Sequence, residues 1–201
     1  MEILHMNDLM RLREQLLSGQ TIDLGSCYHG DLFLIGFMGA GKSTVARTLS
    51  LQCGLTVVEM DSEIQRRAGM TINDIFAQQG EAAFRQMETD LITTLDCQQH
   101  YVVSCGGGTP MRQVNVDAMR ARGTILWLTA QPETILERVS HSHDRPLLEG
   151  HKDVPYIRSL LEQRRPKYAS AADCTIPTDG KTALQICGDI LAALSQLEKE
   201  Q

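Results

Sequence analysis

Gly36-Phe37-Met38-Gly39-Ala40-Gly41-Lys42-Ser43-Thr44 is the stretch on which the reading of this chain turns. Its form, G-x-x-x-x-G-K-S/T, builds a loop whose backbone N–H groups converge on one anion. Glycines are needed because the loop curls tightly and a Cβ would hold phosphate away. A helix starting near Lys42 adds its positive N-terminal end. Lys42 can bridge the outer phosphates of a nucleotide, and the Ser43 hydroxyl can ligate Mg²⁺. The flanks fit. Before the loop runs Asp31-Leu32-Phe33-Leu34-Ile35, an apolar stretch suited to a buried strand; after it, residues 43–51 carry apolar side chains at helical spacing.

The chain of 201 residues reads as a single catalytic domain with a short extension. Its net charge of −6 argues against a nucleic-acid or acidic-membrane partner, though not against a small pocket dominated by local arginines. No apolar run is long enough to span a bilayer, and the N-terminus lacks the basic and apolar parts of a secretion signal. Six cysteines (27, 53, 97, 105, 174, 187) form no C-x-x-C pair. They read as reduced thiols rather than a disulfide framework or zinc site, so the cytoplasm is the expected location.

Outward from the loop, strands and helices alternate. Strands are expected at 31–35, 55–59, 101–105, 124–128 and 173–176. Helices are expected at 61–68, 72–79, 81–97 and 181–197, with another whose first turn holds Pro132. Thr71 with Asp74 has the form of a capping box, and Gly80 suits a helix stop. Alternation of this kind implies a parallel sheet with helices on both faces, whose ligands sit at the carboxyl ends of the strands. Residues 6–17 read as an amphipathic helix and 21–30 as a connector, giving an N-terminal extension over 1–30 and a catalytic domain over 31–201.

A second group of motifs narrows the chemistry. Asp61-x-x-Ile64 follows the second strand. Then come Ile72-x-x-Ile75-Phe76, Gly80-Glu81, Phe84-Arg85-x-x-Glu88 and the triple glycine Gly106-Gly107-Gly108. Arg145-Pro146-Leu147-Leu148 lies in a polar stretch, and Arg164-Arg165-Pro166-Lys167-Tyr168 lies near the end of a helix. With the phosphate loop, and in this order and spacing, they resemble the shikimate kinase family from about residue 32 to about residue 190.

The resemblance implies a three-layer αβα P-loop kinase fold with a five-stranded parallel sheet and a mobile lid. It implies transfer of the γ-phosphoryl group of ATP, with Mg²⁺, to the 3-hydroxyl of shikimate. A carboxylate on a small polyol ring is best held by bidentate arginines. By resemblance Arg85 and Arg164 hold it, Asp61 takes a hydroxyl, and Gly107 is the glycine nearest the ring. Gly39, Ala40, Gly41, Lys42, Ser43 and Thr44 take the phosphates, with Ser43 as the metal ligand. Arg145 belongs to the lid over residues 140–155 and, with Lys42 and Asp61, to the catalytic set. Arg138 corresponds to a position near adenine, although an exposed helix arginine is an equally natural reading. Arg85 and Glu88, taken alone, read as a solvated pair at i,i+3; in company with Asp61 and the glycines, Arg85 reads as a substrate ligand.

Some features depart from the family pattern. Many relatives carry Asp-x-Asp after the second strand, where this chain has Glu59-Met60-Asp61. The longer Glu59 leaves its metal role open. Arg165 stands where a small or neutral residue is common and reads as a surface charge. His141 and His143 have no evident third metal ligand. Trp127 reads as core. Two rival functions remain: another small-molecule kinase of the same architecture, such as a gluconate or nucleoside-monophosphate kinase, and a catalytically silent nucleotide-binding module. Residues 6–17 faintly resemble the first helix of the helical chorismate mutases. That leaves a truncated remnant, a dimer contact or a packing helix. Otherwise the chain is expected to act as a monomer on small molecules.

Overall fold

The computed structural model describes residues 2–140 and 153–197, with residues 2–7 as backbone alone. In chain order the strands are β1 (Asp31–Ile35), β2 (Thr56–Glu59), β3 (Tyr101–Ser104), β4 (Gly123–Thr129) and β5 (Cys174–Pro177). All pair in parallel in the order β2-β3-β1-β4-β5. The helices are α1 (Glu2–Leu17), α2 (Lys42–Cys53), α3 (Met60–Ala68), α4 (Ile72–Thr93), α5 (Gln113–Arg120), α6 (Pro132–Val139), α7 (Val154–Ala171) and α8 (Ala183–Leu197).

The strand order explains the sequence pattern. β1 lies between β3 and β4, and every one of its residues is buried. A strand covered on both faces reads as a continuous apolar run, which is the character of Leu32-Phe33-Leu34-Ile35. Two hydrophobic layers result. One joins Leu32 and Leu34 to Val45, Ala46 and Leu49 of α2 and to Ile186, Ile190 and Leu191 of α8. The other joins Phe33 and Ile35 to Met60, Ile64, Phe84, Met119 and Tyr168.

Boundaries shift modestly from the expected ones. The helix expected over 81–97 ends at Thr93. It is joined to the one before it as α4, with a kink at Gly80, whose φ of 80° and ψ of 169° are not helical. Thr71 and Asp74 form the reciprocal capping box. The closing helix begins at Ala183 rather than 181, and α5 has no counterpart among the expected helices. Inside the connector a 3-10 turn, Leu24–Ser26, buries Leu24.

The amino-terminal helix lies on α8. Leu9, Leu12 and Leu16 are buried in the same layer as β1 and α2. Arg13 Nε donates to the Gly188 carbonyl at 3.0 Å. A Cβ at Gly188 would stand 2.9 Å from Leu17 Cδ2, so glycine there lets the two helices meet. This favours the packing-helix reading of residues 6–17. No helix among the described residues is long and apolar enough to cross a membrane.

Candidate active site

The carboxyl ends of β1, β2 and β3 carry the phosphate loop, Asp61 and the triple glycine in turn. β1 feeds the loop, which ends at Gly41; its φ of 96° is left-handed, and it stands at the N-cap of α2 with no side-chain cap. The N-terminal end of α2, with its positive dipole, therefore faces the loop's hollow. Lys42 Nζ folds back over the loop and donates to the carbonyls of Gly36 at 2.8 Å and Phe37 at 3.1 Å. Gly36 is squeezed against β4, where a Cβ would run into the Leu128 carbonyl.

A cleft of about 450 Å³ opens beside the loop. Gly39 through Val45 form one wall, and Arg138, Lys181, Ala183 and Ile186 form the other. Arg138 is tied there. Its Nη1 donates to the Gly39 carbonyl at 3.1 Å and to Thr178 Oγ1 at 3.0 Å, and its Nη2 donates to the Thr178 carbonyl at 3.1 Å. It is thus an exposed helix arginine whose head is tied to the loop and to Thr178 at the cleft.

On the other side of Lys42, three glycines lie among four charged side chains. A Cβ on Gly106 would come within 3.2 Å of Asp61 Oδ1 and 2.8 Å of Glu88 Oε1. One on Gly107 would lie 3.6 Å from Arg164 Nη1 and 3.9 Å from the Gly36 carbonyl oxygen. At Gly108 the nearest atom would be Arg85 Nη1, at 2.6 Å. The heads of Arg85 and Arg164 therefore bracket one dipeptide, and the carbonyl that holds Lys42 is next to it. Arg164 also stands over the Phe37 ring, 5.6 Å from its centroid, a contact worth about 0.5–1 kcal/mol.

Arg85 is held from below. Its Nη1 donates to Glu88 Oε2 at 2.9 Å, while its Nε and Nη2 reach Glu81 at 3.2 and 3.0 Å. Glu88 is wholly buried, which replaces the reading of a solvated pair. Its other oxygen accepts from Thr109 Oγ1 at 2.6 Å. Burial pushes the Glu88 carboxyl up, and Thr109 and Arg85 pull it back only in part. Behind it, Asn115 Nδ2 donates to the Thr109 carbonyl at 3.0 Å, and Thr89 Oγ1 donates to Asn115 Oδ1 at 2.6 Å. The sequence motif contains Glu88, but only the spacing of α4 against the buried Thr109 reveals its burial.

The residues near Ser43 suit Mg²⁺. Ser43 Oγ donates to Glu59 Oε2 at 2.9 Å and lies 3.3 Å from Ser104 Oγ. Glu59 Oε1 is buried without a hydrogen bond among the described residues, although Arg47 Nη2 approaches it at 3.2 Å as an ion pair outside hydrogen-bond geometry. An all-oxygen set with an unsatisfied carboxylate oxygen is what a hard divalent cation requires. Glu59 is thus the acid at this corner, and Ser43 and Glu59 would hold the ion together with nucleotide phosphates.

Arg145, His141 and His143 lie outside the described residues, as does most of the expected lid. The structure brings together Lys42, Asp61, Arg85, Gly107 and Arg164 at one place and Ser43, Thr44 and Arg138 along the adjoining cleft. Sequence patterns assign no role to Glu88, Thr109 or Lys181; Tyr168 stands in a quoted motif but is likewise unassigned there.

A parallel sheet with a phosphate loop at its switch point, joined to an arginine-lined acceptor site, defines a nucleotide-dependent phosphotransferase of the P-loop kinase class. The family model for shikimate kinase matches residues 38–195. A shikimate kinase of Moorella thermoacetica is 38% identical over 165 residues, 82% of this chain and 94% of its own. The solved shikimate kinase of Acinetobacter baumannii, in complex with shikimate, superposes with a TM-score of 0.74 at 32% identity, covering 86% of this chain and 96% of its own. A gluconokinase of Sinorhizobium meliloti, 17% identical with a TM-score of 0.51, shares the fold. The chain belongs to the shikimate kinase family.

Proposed function

We propose that this chain transfers the γ-phosphoryl group of ATP to the 3-hydroxyl of shikimate, giving shikimate 3-phosphate and ADP. The observation that carries this reading is the pair of guanidinium groups, Arg85 and Arg164, at adjacent glycines beside the loop that holds Lys42. A ring carboxylate held by both would leave the hydroxyls of the ring turned toward Asp61 and the loop.

Phosphoryl transfer asks for positioning and charge neutralisation more than covalent chemistry. Lys42 and the loop amides would hold the β- and γ-phosphates. Asp61 would align the attacking hydroxyl and accept its proton late, as the O–P bond forms. Charge neutralisation at the phosphates is the chemistry that Mg²⁺ supplies when bound by Ser43 and Glu59. Arg145 is assigned to closure over the transferring group on the family motif alone. Arg138 would flank the nucleoside end of the cleft.

Every described site residue comes from this chain, and action as a monomer is part of the proposal. All six cysteines are free, which favours a reducing compartment such as the cytoplasm.

A coupled ADP-release assay tests the reading, with shikimate, gluconate and nucleoside monophosphates as acceptors. Turnover with shikimate and background rates with the others are expected. Turnover confined to gluconate or a nucleotide would replace the assignment with a sister kinase. ATP binding without turnover on any acceptor would favour the silent module.

A further inference from the structure

Tyr168 stands under the acceptor site with its hydroxyl committed to a backbone atom. It donates to the Gly107 carbonyl at 2.7 Å. The residue is fully buried, and its ring stacks on Trp127 at 5.7 Å between centroids with 20° between planes. It lies four residues after Arg164 on α7, so both face the same glycines. A Cβ at Gly107 would be 3.7 Å from the Tyr168 hydroxyl and 3.6 Å from Arg164 Nη1.

Gly106-Gly107-Gly108 by itself does not dictate which way its peptides face, because glycine occupies both halves of φ/ψ space readily. The Gly107–Gly108 peptide is planar and trans, so the Gly107 carbonyl and the Gly108 N–H point in opposite directions. With the carbonyl fixed to α7 by Tyr168, the Gly108 N–H is turned away from α7. Among the described residues neither the Gly107 nor the Gly108 N–H is paired with an acceptor, and both glycines are half-buried. Two donors are thus left for a ligand between two arginines.

We propose that Tyr168 is a positioning residue for acceptor binding: its hydroxyl pins the Gly107–Gly108 peptide so that main-chain N–H groups join Arg85 and Arg164 in holding the anionic acceptor. Trp127 keeps the phenol ring in place by stacking. Burial pushes the Tyr168 hydroxyl up, and the Arg164 guanidinium beside it pulls it back only in part, so it stays a protonated donor across the working range of pH. The proposal rests on the reading of the site as a shikimate site.

Tyr168→Phe in the full chain tests it. The ring and its stacking survive while one donor is lost, leaving the glycine peptide free to turn. The KM for shikimate is expected to rise roughly tenfold, with the KM for ATP changed less than about twofold. Trp127 is the only tryptophan and touches the altered ring, so its fluorescence gives shikimate affinity without turnover. That titration, run well below the variant's melting midpoint, should weaken by the same factor. Unchanged shikimate affinity would overturn the proposal. Equal losses for shikimate and ATP would also overturn it, reducing Tyr168 to a core residue. Failure of the wild-type protein to phosphorylate shikimate would instead overturn the functional reading, which the unmodified chain tests separately.

Discussion

Arg85 reaches Glu88 at 2.9 Å across a single helical turn, and Glu88 has no exposed surface at all. The anchor of a substrate-binding arginine is therefore a carboxylate that resists ionisation. As pH falls, Glu88 takes up its proton earlier than an ordinary glutamate, whose value is about 4.3. The KM for shikimate should rise on the acid side above the usual carboxylate range, with kcat less affected. Glu88→Gln should have a high KM at every pH and lose that acid limb. Stability has the opposite sign. With the folded pKa raised, the native state binds the extra proton between the unfolded and folded values, so this group's contribution falls as pH rises through that window. Chemical denaturation of wild type and Glu88→Gln across pH reads the difference.

Asp61 lies in the first turn of α3 and projects toward Gly106, where a Cβ would be 3.2 Å from its Oδ1. Asp61→Asn keeps the shape and removes the proton acceptor. Turnover should fall by at least about a hundredfold, in line with the usual contribution of a positioned acid or base, while ATP binding stays near normal. Calorimetric titration with ATP beside a rate assay checks both halves. Near-normal turnover would remove Asp61 from the mechanism.

Glu59 ends β2 and accepts the Ser43 hydroxyl at 2.9 Å. Glu59→Gln retains size and loses charge. The Mg²⁺ concentration needed for half-maximal nucleotide binding should increase about tenfold or more, since removing such partners commonly costs that much metal affinity. A binding titration against Mg²⁺ reads this without turnover. Arg47→Ala should move the same curve the other way, because Arg47 is the cation now facing the orphaned oxygen at 3.2 Å.

Much of this site is legible in the sequence because its chemistry needs fixed spacing. Gly36 to Ser43 can cradle phosphate only as one loop between a buried strand and a helix, and that context is readable on both sides. The convergence of Arg85 and Arg164 is legible only through resemblance. They are far apart in sequence, and no local pattern brings α4 and α7 to the same glycines. Glu88 taken alone reads wrongly because a surface pair and a buried pair have the same i,i+3 spacing; Thr109, which shields it, comes from another element. α5 escapes a sequence reading because Gln113–Arg120 is short and has no side-chain cap, with Val114 and Val116 giving as much strand signal as helix signal.

The N-terminal helix offers the last test. Leu16 is fully buried between α1 and the sheet layer, and α1 rests on α8 through Arg13 and the small residue Gly188. α8 supplies Ala183 and Ile186 to the nucleotide cleft. We therefore assign α1 the part of a brace on the nucleotide side, outside the segment matched by the family model. Leu16→Ala should cost about 2–5 kcal/mol of stability, read by denaturant unfolding. Deleting residues 1–28 should destabilise further and raise the KM for ATP more than that for shikimate, because the exposed face of α8 adjoins the nucleotide wall and not the arginines. Sedimentation of both proteins separates this from an oligomer contact: a brace leaves the mass at one chain before and after deletion. A dimer that falls to monomers on deletion would reassign α1 to subunit contact.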